Sequence, residues 1–111
     1  MKILVEIKLF SGRPNPSWLL ENGEAKNLND LLQNLPLNKN DQPMNVMDGL
    51  GYKGFILTIT ENDTEKTVYV FSNMISTQEK EIKIFVDENK VEKKLLQVAK
   101  EKGYGKFLMD N

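Results

Sequence analysis

At 111 residues and 12.8 kDa, with 40% hydrophobic and 28% charged residues, the chain has the size of one domain and is too apolar for wholesale disorder. Its formal net charge of −1 leaves no basic block to neutralise a run of phosphates, and its apolar runs fall far short of the roughly 20 residues a membrane span needs, so neither nucleic acid nor a bilayer is an expected partner. With no Cys and no His there is no disulfide, no thiolate or imidazole metal site and no usual activator of a nucleophile, so no cofactor is expected and catalysis is disfavoured.

Met1-Lys2 leads straight into a strand-like segment rather than a signal-peptide core, which predicts a cytoplasmic location. From Lys2 to Phe10 the chain alternates, with Ile3, Val5, Ile7 and Leu9 on one face and Leu4, Glu6, Lys8 and Phe10 on the other. This predicts a strand buried on its first face.

Ser11-Gly12-Arg13-Pro14-Asn15-Pro16-Ser17-Trp18 follows directly and holds the only Arg, the only Trp and two of the four Pro. Each proline fixes its own φ and keeps the residue before it out of the α region, so a stiff extended loop is expected. Asn22 is a candidate N-cap for a helix over 22–35, with Leu28, Leu31, Leu32 and Leu35 at helical spacing and Pro36 as the stop. Residues 37–53 are rich in turn formers and read as a long loop, with Met44, Val46, Met47 and Leu50 as anchors.

Residues 54–60 and 67–71 read as two strands of a hairpin joined by a connection of four to six residues. Residues 72–78 are ambiguous, with Met74 and Ile75 the apolar anchors, and 81–86 alternate as a further strand. Asp87 is placed to cap a last helix whose apolar positions are Val91, Leu95, Val98 and Ala99, with Leu96 beside them, and Gly103 suits the left-handed residue that ends it. Residues 104–109 fit a short strand or a docked tail. The expected fold is a single α+β domain over 1–111: a mostly antiparallel sheet of about four strands, two helices on one face, in the order β-α-β-β-β-α.

Gly49-Leu-Gly51-Tyr-Lys-Gly54 matches the G-x-G-x-x-G pattern of dinucleotide sites. That motif needs a strand before it and a helix after it; here a loop precedes and a β-rich run follows, so the match is read as accidental. Arg13 has two readings. Its guanidinium could form a forked pair with an anionic ligand on the stiff loop, or serve the fold by pairing with an internal carboxylate such as Glu6 or Asp48 or by capping exposed carbonyls of the Pro-rich loop. Taken alone, Arg13 favours a structural role, Trp18 a core or rim position, Asn15 a bond to local backbone, Tyr52 a lid over the sheet edge and Lys53 a solvated side chain. Their conjunction on a preorganised loop is what raises the functional reading. The Lys93-Lys94 pair, offset by Glu88, Glu92 and Glu101, is read as a solvated helix face.

The S-G-R-P-N-P-S-W stretch after an N-terminal strand, with Leu50-Gly-Tyr-Lys-Gly-Phe55 in mid-chain, resembles a group of small uncharacterised bacterial proteins that share an S-G-R-P-N-P-x-W loop and an L-G-Y-[RK]-G-F turn. The resemblance covers most of the chain, loosest in the last helix. It implies that the two loops belong to one feature and adds weight to Arg13, Asn15, Trp18, Tyr52 and Lys53. It carries no catalytic residue and no cofactor.

These readings point to a small binding or accessory module that recognises an anionic small molecule or peptide group where the 11–18 loop meets the 49–54 turn. An immunity or antitoxin-type protein that inhibits a protein partner is the alternative. A small carboxylate- or Lys-dependent enzyme ranks last.

Overall fold

The computed structural model describes residues 1–10, 14–37, 51–78 and 82–108. Six strands form one antiparallel sheet: β1 (Lys2–Phe10), β2 (Ser17–Glu21), β3 (Gly51–Glu61), β4 (Thr64–Phe71), β5 (Met74–Gln78) and β6 (Ile82–Val86). Their spatial order is β2-β1-β3-β4-β5-β6. Helix α1 (Asn22–Leu31) packs against β1 and β2, α2 (Val91–Glu101) against β3 and β4, and a single helical turn, α3 (Gly105–Leu108), against α2 and β3.

The alternation of β1 sets the core. Ile3, Val5 and Ile7 are fully buried and face Trp18 of β2, Phe55, Leu57 and Ile59 of β3, Val68 and Val70 of β4 and the apolar stripes of both helices. One continuous apolar cluster therefore lies between the sheet and the helices, as expected for α+β layering. None of the described helices is long and apolar enough to cross a membrane.

The sheet has six strands rather than about four. Ser17–Glu21 pairs with β1, Trp18 opposite Val5 and Leu20 opposite Ile3, so the Pro-flanked segment is part loop and part edge strand. Met74–Gln78 is the other addition, joined to β4 across a two-residue turn. The β3–β4 connection is likewise shorter than four residues: Glu61 pairs with Thr64, leaving Asn62 and Asp63. All four turn residues, Asn62, Asp63, Ser72 and Asn73, have positive φ, the signature of type I′ turns whose twist suits a hairpin.

Helix α1 ends at Leu31, four residues before the expected Leu35. Leu32 and Gln33 make short backbone bonds back to Asn29 and Asp30, Asn34 turns left-handed at φ 58°, and Pro36 bars Leu35 from the α region. Asn22 is not a side-chain cap: it is the first helical residue, with φ 52°, and Glu21 precedes it without a capping bond. Residues 51–53 belong to β3 rather than to a loop, and of the two readings of 104–109, a short strand or a docked tail, the described part is a helical turn, α3, docked on α2 and β3. The anchors Met44, Val46, Met47 and Leu50, and Gly49 of the glycine pattern, lie outside the described residues.

Asp87 caps α2 as its position implies. Its carboxylate, 2% exposed, accepts from the backbone N–H groups of Val91 at 2.7 Å and Glu92 at 2.9 Å. Gly103, at φ 90°, supplies the left-handed residue after α2.

Candidate functional site

Two of the expected site residues meet through a third. The Trp18 ring touches Phe55 edge-on at 6.4 Å between centroids, and the Tyr52 ring touches Phe55 at 5.7 Å and Phe71 at 5.7 Å. Trp18 and Tyr52 thus converge within one aromatic row on the helix side of the sheet.

A bulge puts Tyr52 there. Ile7 pairs with Phe55 and Leu9 with Tyr52, so Lys8 alone opposes both Lys53 and Gly54. The extra residue breaks the two-residue period, so Tyr52 comes to share the inward face with Phe55. Gly54 makes this possible. Its φ of 99° is left-handed, and a Cβ there would overlap the Val70 carbonyl oxygen and lie 2.7 Å from the Phe71 Cβ.

Aimed inward, the Tyr52 hydroxyl donates to Glu92 Oε2 of α2 at 2.5 Å. Burial above all, then the hydrogen bond and charge of Glu92, push the phenol well above its ordinary range. Glu92 Oε1 also accepts from the Asn73 N–H at 3.4 Å, tying α2 to the β4–β5 turn.

Asn15 is held in the same inward-looking way. Its Oδ1 accepts from the Leu9 N–H at 3.1 Å, while the Pro16 carbonyl accepts from Ile7 N–H at 2.9 Å. The side chain substitutes for a ladder partner that the Pro-flanked segment does not offer. Lys53 is half-buried within the bulge. Arg13 lies outside the described residues, as do Ser11 and Gly12.

Among the described residues an open concavity lies elsewhere. A groove of about 290 Å³ runs between α1 and α2, with Trp18 and Leu20 from β2, Leu28 and Leu31 from α1, and Leu95 and Val98 from α2. Glu24 and Asn27 edge it on the α1 side, Lys94 and Lys102 on the α2 side. Trp18 is 9% exposed, stacks on Tyr104 at 5.9 Å and carries the Lys102 ammonium 5.9 Å from its ring. Its indole Nε1 is buried with no hydrogen-bond partner among the described residues.

Sequence reasoning missed this groove because its walls lie about seventy residues apart in the chain. The available signal was the breadth of the two apolar stripes: Leu31 and Val98 lie on them and remain only half-buried. Among the described residues no group of three or more carboxylates is placed to hold a metal ion. No family model, no curated protein and no solved structure matches this chain.

Proposed function

We propose that the chain is a small binding or accessory module and that its ligand occupies the groove between α1 and α2. The observation that carries this reading is the groove itself: an aliphatic lining that includes the only Trp of the sequence, edged by two lysines on one wall. Ligand sites in small domains are concave, largely apolar and marked by a few placed polar groups. The reading keeps Trp18 and an anionic ligand from the sequence-based expectation and moves the site from the loops to the helices. Asn15 and Tyr52 support the sheet and α2 instead, since the Asn15 Oδ1 and the Tyr52 hydroxyl are both engaged by internal partners. Among the described residues the group clearly displaced from its ordinary pKa, Tyr52, is hydrogen-bonded inside the fold and so lends no support to an enzyme.

Trp18 makes the test direct. Titration with 8-anilinonaphthalene-1-sulfonate, an apolar anion, is expected to change Trp18 emission saturably at one equivalent. Val98→Lys, on the half-buried lining, is expected to weaken that binding roughly tenfold or more while the fold is retained. Equal binding by the folded variant rejects the groove.

A second reading, inhibition of a protein partner, is favoured by one separate observation. Ile82 on edge strand β6 is 66% exposed and Leu37, bridged to Phe85 of the same strand, is 59% exposed. Exposed apolar residues flanking an edge strand suit addition of a partner strand. Stoichiometric co-elution with the product of a neighbouring gene, abolished by Ile82→Lys, supports this reading; co-elution indifferent to Ile82→Lys counts against it.

A further inference from the structure

We infer that the ligand of this groove is a linear acyl chain ending in a carboxylate, with its head at Lys94 and its tail towards Trp18; the inference rests on the groove being the binding site. Three observations lead to it.

The first is shape. Lining positions recur at 24, 27, 28 and 31 on α1 and at 94, 95, 98 and 102 on α2. Eight residues of helix span about 12 Å, so the groove is a narrow trough some two turns long rather than a round cavity. The second is chemistry. Between the polar edges formed by Glu24, Asn27, Lys94 and Lys102, the floor of Leu20, Leu28, Leu31, Leu95 and Val98 offers no hydrogen-bonding side chain, so hydroxyl groups laid along it would lose their water without replacement. An alkyl chain loses nothing.

The third is the distribution of charge along the trough. Asn89, just ahead of α2, donates through Nδ2 to the carbonyl of Leu31 at 2.9 Å, so the C-terminal end of α1 meets the N-terminal end of α2. Glu24 therefore shares an end of the groove with Lys102, whose ammonium lies over Trp18. Lys94 shares the other end with Leu31, and among the described residues no acidic side chain lines the groove there. Lys94 also stands in the first turns of α2, where the helix dipole favours a negative charge. A carboxylate is attracted to the Lys94 end, whereas at the other end Glu24 offsets the attraction of Lys102, and this difference sets the direction of the chain.

The experiment compares decanoate, decanol and decylamine below their micellar concentrations, read by Trp18 emission. Decanoate is expected to bind most tightly, and Lys94→Gln to bring it down roughly tenfold to the affinity of decanol without changing decanol itself, with Lys94→Arg restoring it. 10-Bromodecanoate is expected to quench Trp18 more strongly than 2-bromodecanoate, because the heavy atom then lies at the tail. If decanol and decylamine bind as well as decanoate and Lys94→Gln has no effect, the carboxylate assignment is overturned and the groove stands. Stronger quenching by the 2-bromo compound overturns the direction. If neither these probes nor the anilinonaphthalene dye perturb Trp18, the groove itself is rejected, and this inference with it.

Discussion

The hydroxyl of Tyr52 reaches Glu92 at 2.5 Å across 40 residues of sequence, and this bond joins the bulged end of β3 to the first turn of α2. It exists only because Gly54 inserts a residue into the strand and turns Tyr52 to the helix side. Removing the hydroxyl leaves a partly buried carboxylate short of a donor. Tyr52→Phe is therefore expected to cost about 1–3 kcal/mol in urea unfolding, the range for hydrogen bonds to charged groups. A cost below about 0.5 kcal/mol, the size of an ordinary surface change, would show that the bond contributes little.

The same bond makes a prediction in alkali. An unfolded tyrosine ionises near pH 10, whereas burial and Glu92 hold the folded Tyr52 protonated well beyond it. Above about pH 10 the unfolded state has released a proton that the folded state keeps, so stability falls as pH rises. Wild type is expected to lose up to about 1.4 kcal/mol per pH unit relative to Tyr52→Phe above that point, and to keep a constant margin below it. Urea midpoints of both proteins between pH 8 and pH 11 decide this, since the lysines are common to both and cancel in the comparison.

Two glycines give opposite expectations. Gly54 is left-handed and has no room for a methyl group, so Gly54→Ala is expected to destabilise by more than about 2 kcal/mol through backbone strain and overlap with β4. Gly23, within α1, has nothing near its would-be Cβ. Gly23→Ala is expected to stabilise by about 0.5–1 kcal/mol through helix propensity. Thermal unfolding of the pair is the check, and equal shifts would contradict the bulge geometry.

Much of this architecture is legible in the sequence, and the parts that are not have definite causes. Strand β1 announces itself through strict alternation, and α2 through Asp87 before it and Gly103 after it. Strand β2 is hidden because Pro14 and Pro16 mark a loop, while its pairing is helped by an Asn15 side chain that no pattern reveals. Strand β5 is hidden because Ser76, Thr77 and Gln78 carry little apolar signal. Trp18 and Tyr52 each touch Phe55, and that they do so from one face depends on one inserted residue at Gly54, which no pattern of the sequence reveals. The groove joins residues 24–31 to residues 94–102, so no local window contains it.

Asp87 concentrates two caps in one buried carboxylate. Its oxygens take the N–H groups of Val91 and Glu92, two of the donors that a helix start leaves without intrahelical partners. Asp87→Ala is expected to cost about 2 kcal/mol, at the upper end for N-cap losses because the site excludes water that could substitute. Asp87→Asn keeps one acceptor and is expected to recover about half of that. Guanidinium unfolding monitored by circular dichroism at 222 nm measures both, and hydrogen exchange of the Val91 and Glu92 amides localises the effect.

Trp18 provides the last expectation, one that separates ring packing from the indole N–H. The ring stacks on Tyr104 and meets Phe55 edge-on, so Trp18→Ala is expected to cost about 3–5 kcal/mol by cavity formation. Its buried Nε1 has no partner among the described residues, and an unpaired buried donor costs about 1–3 kcal/mol. Trp18→Phe removes that donor and keeps an aromatic ring against Phe55 and Tyr104, so the lost area and the relieved N–H offset one another. Trp18→Phe is accordingly expected to stay within about 1 kcal/mol of wild type in urea unfolding followed by circular dichroism. A cost for Trp18→Phe close to that of Trp18→Ala would mean that the indole N–H is hydrogen-bonded in the folded protein, and that Trp18 contributes a specific polar contact as well as its ring.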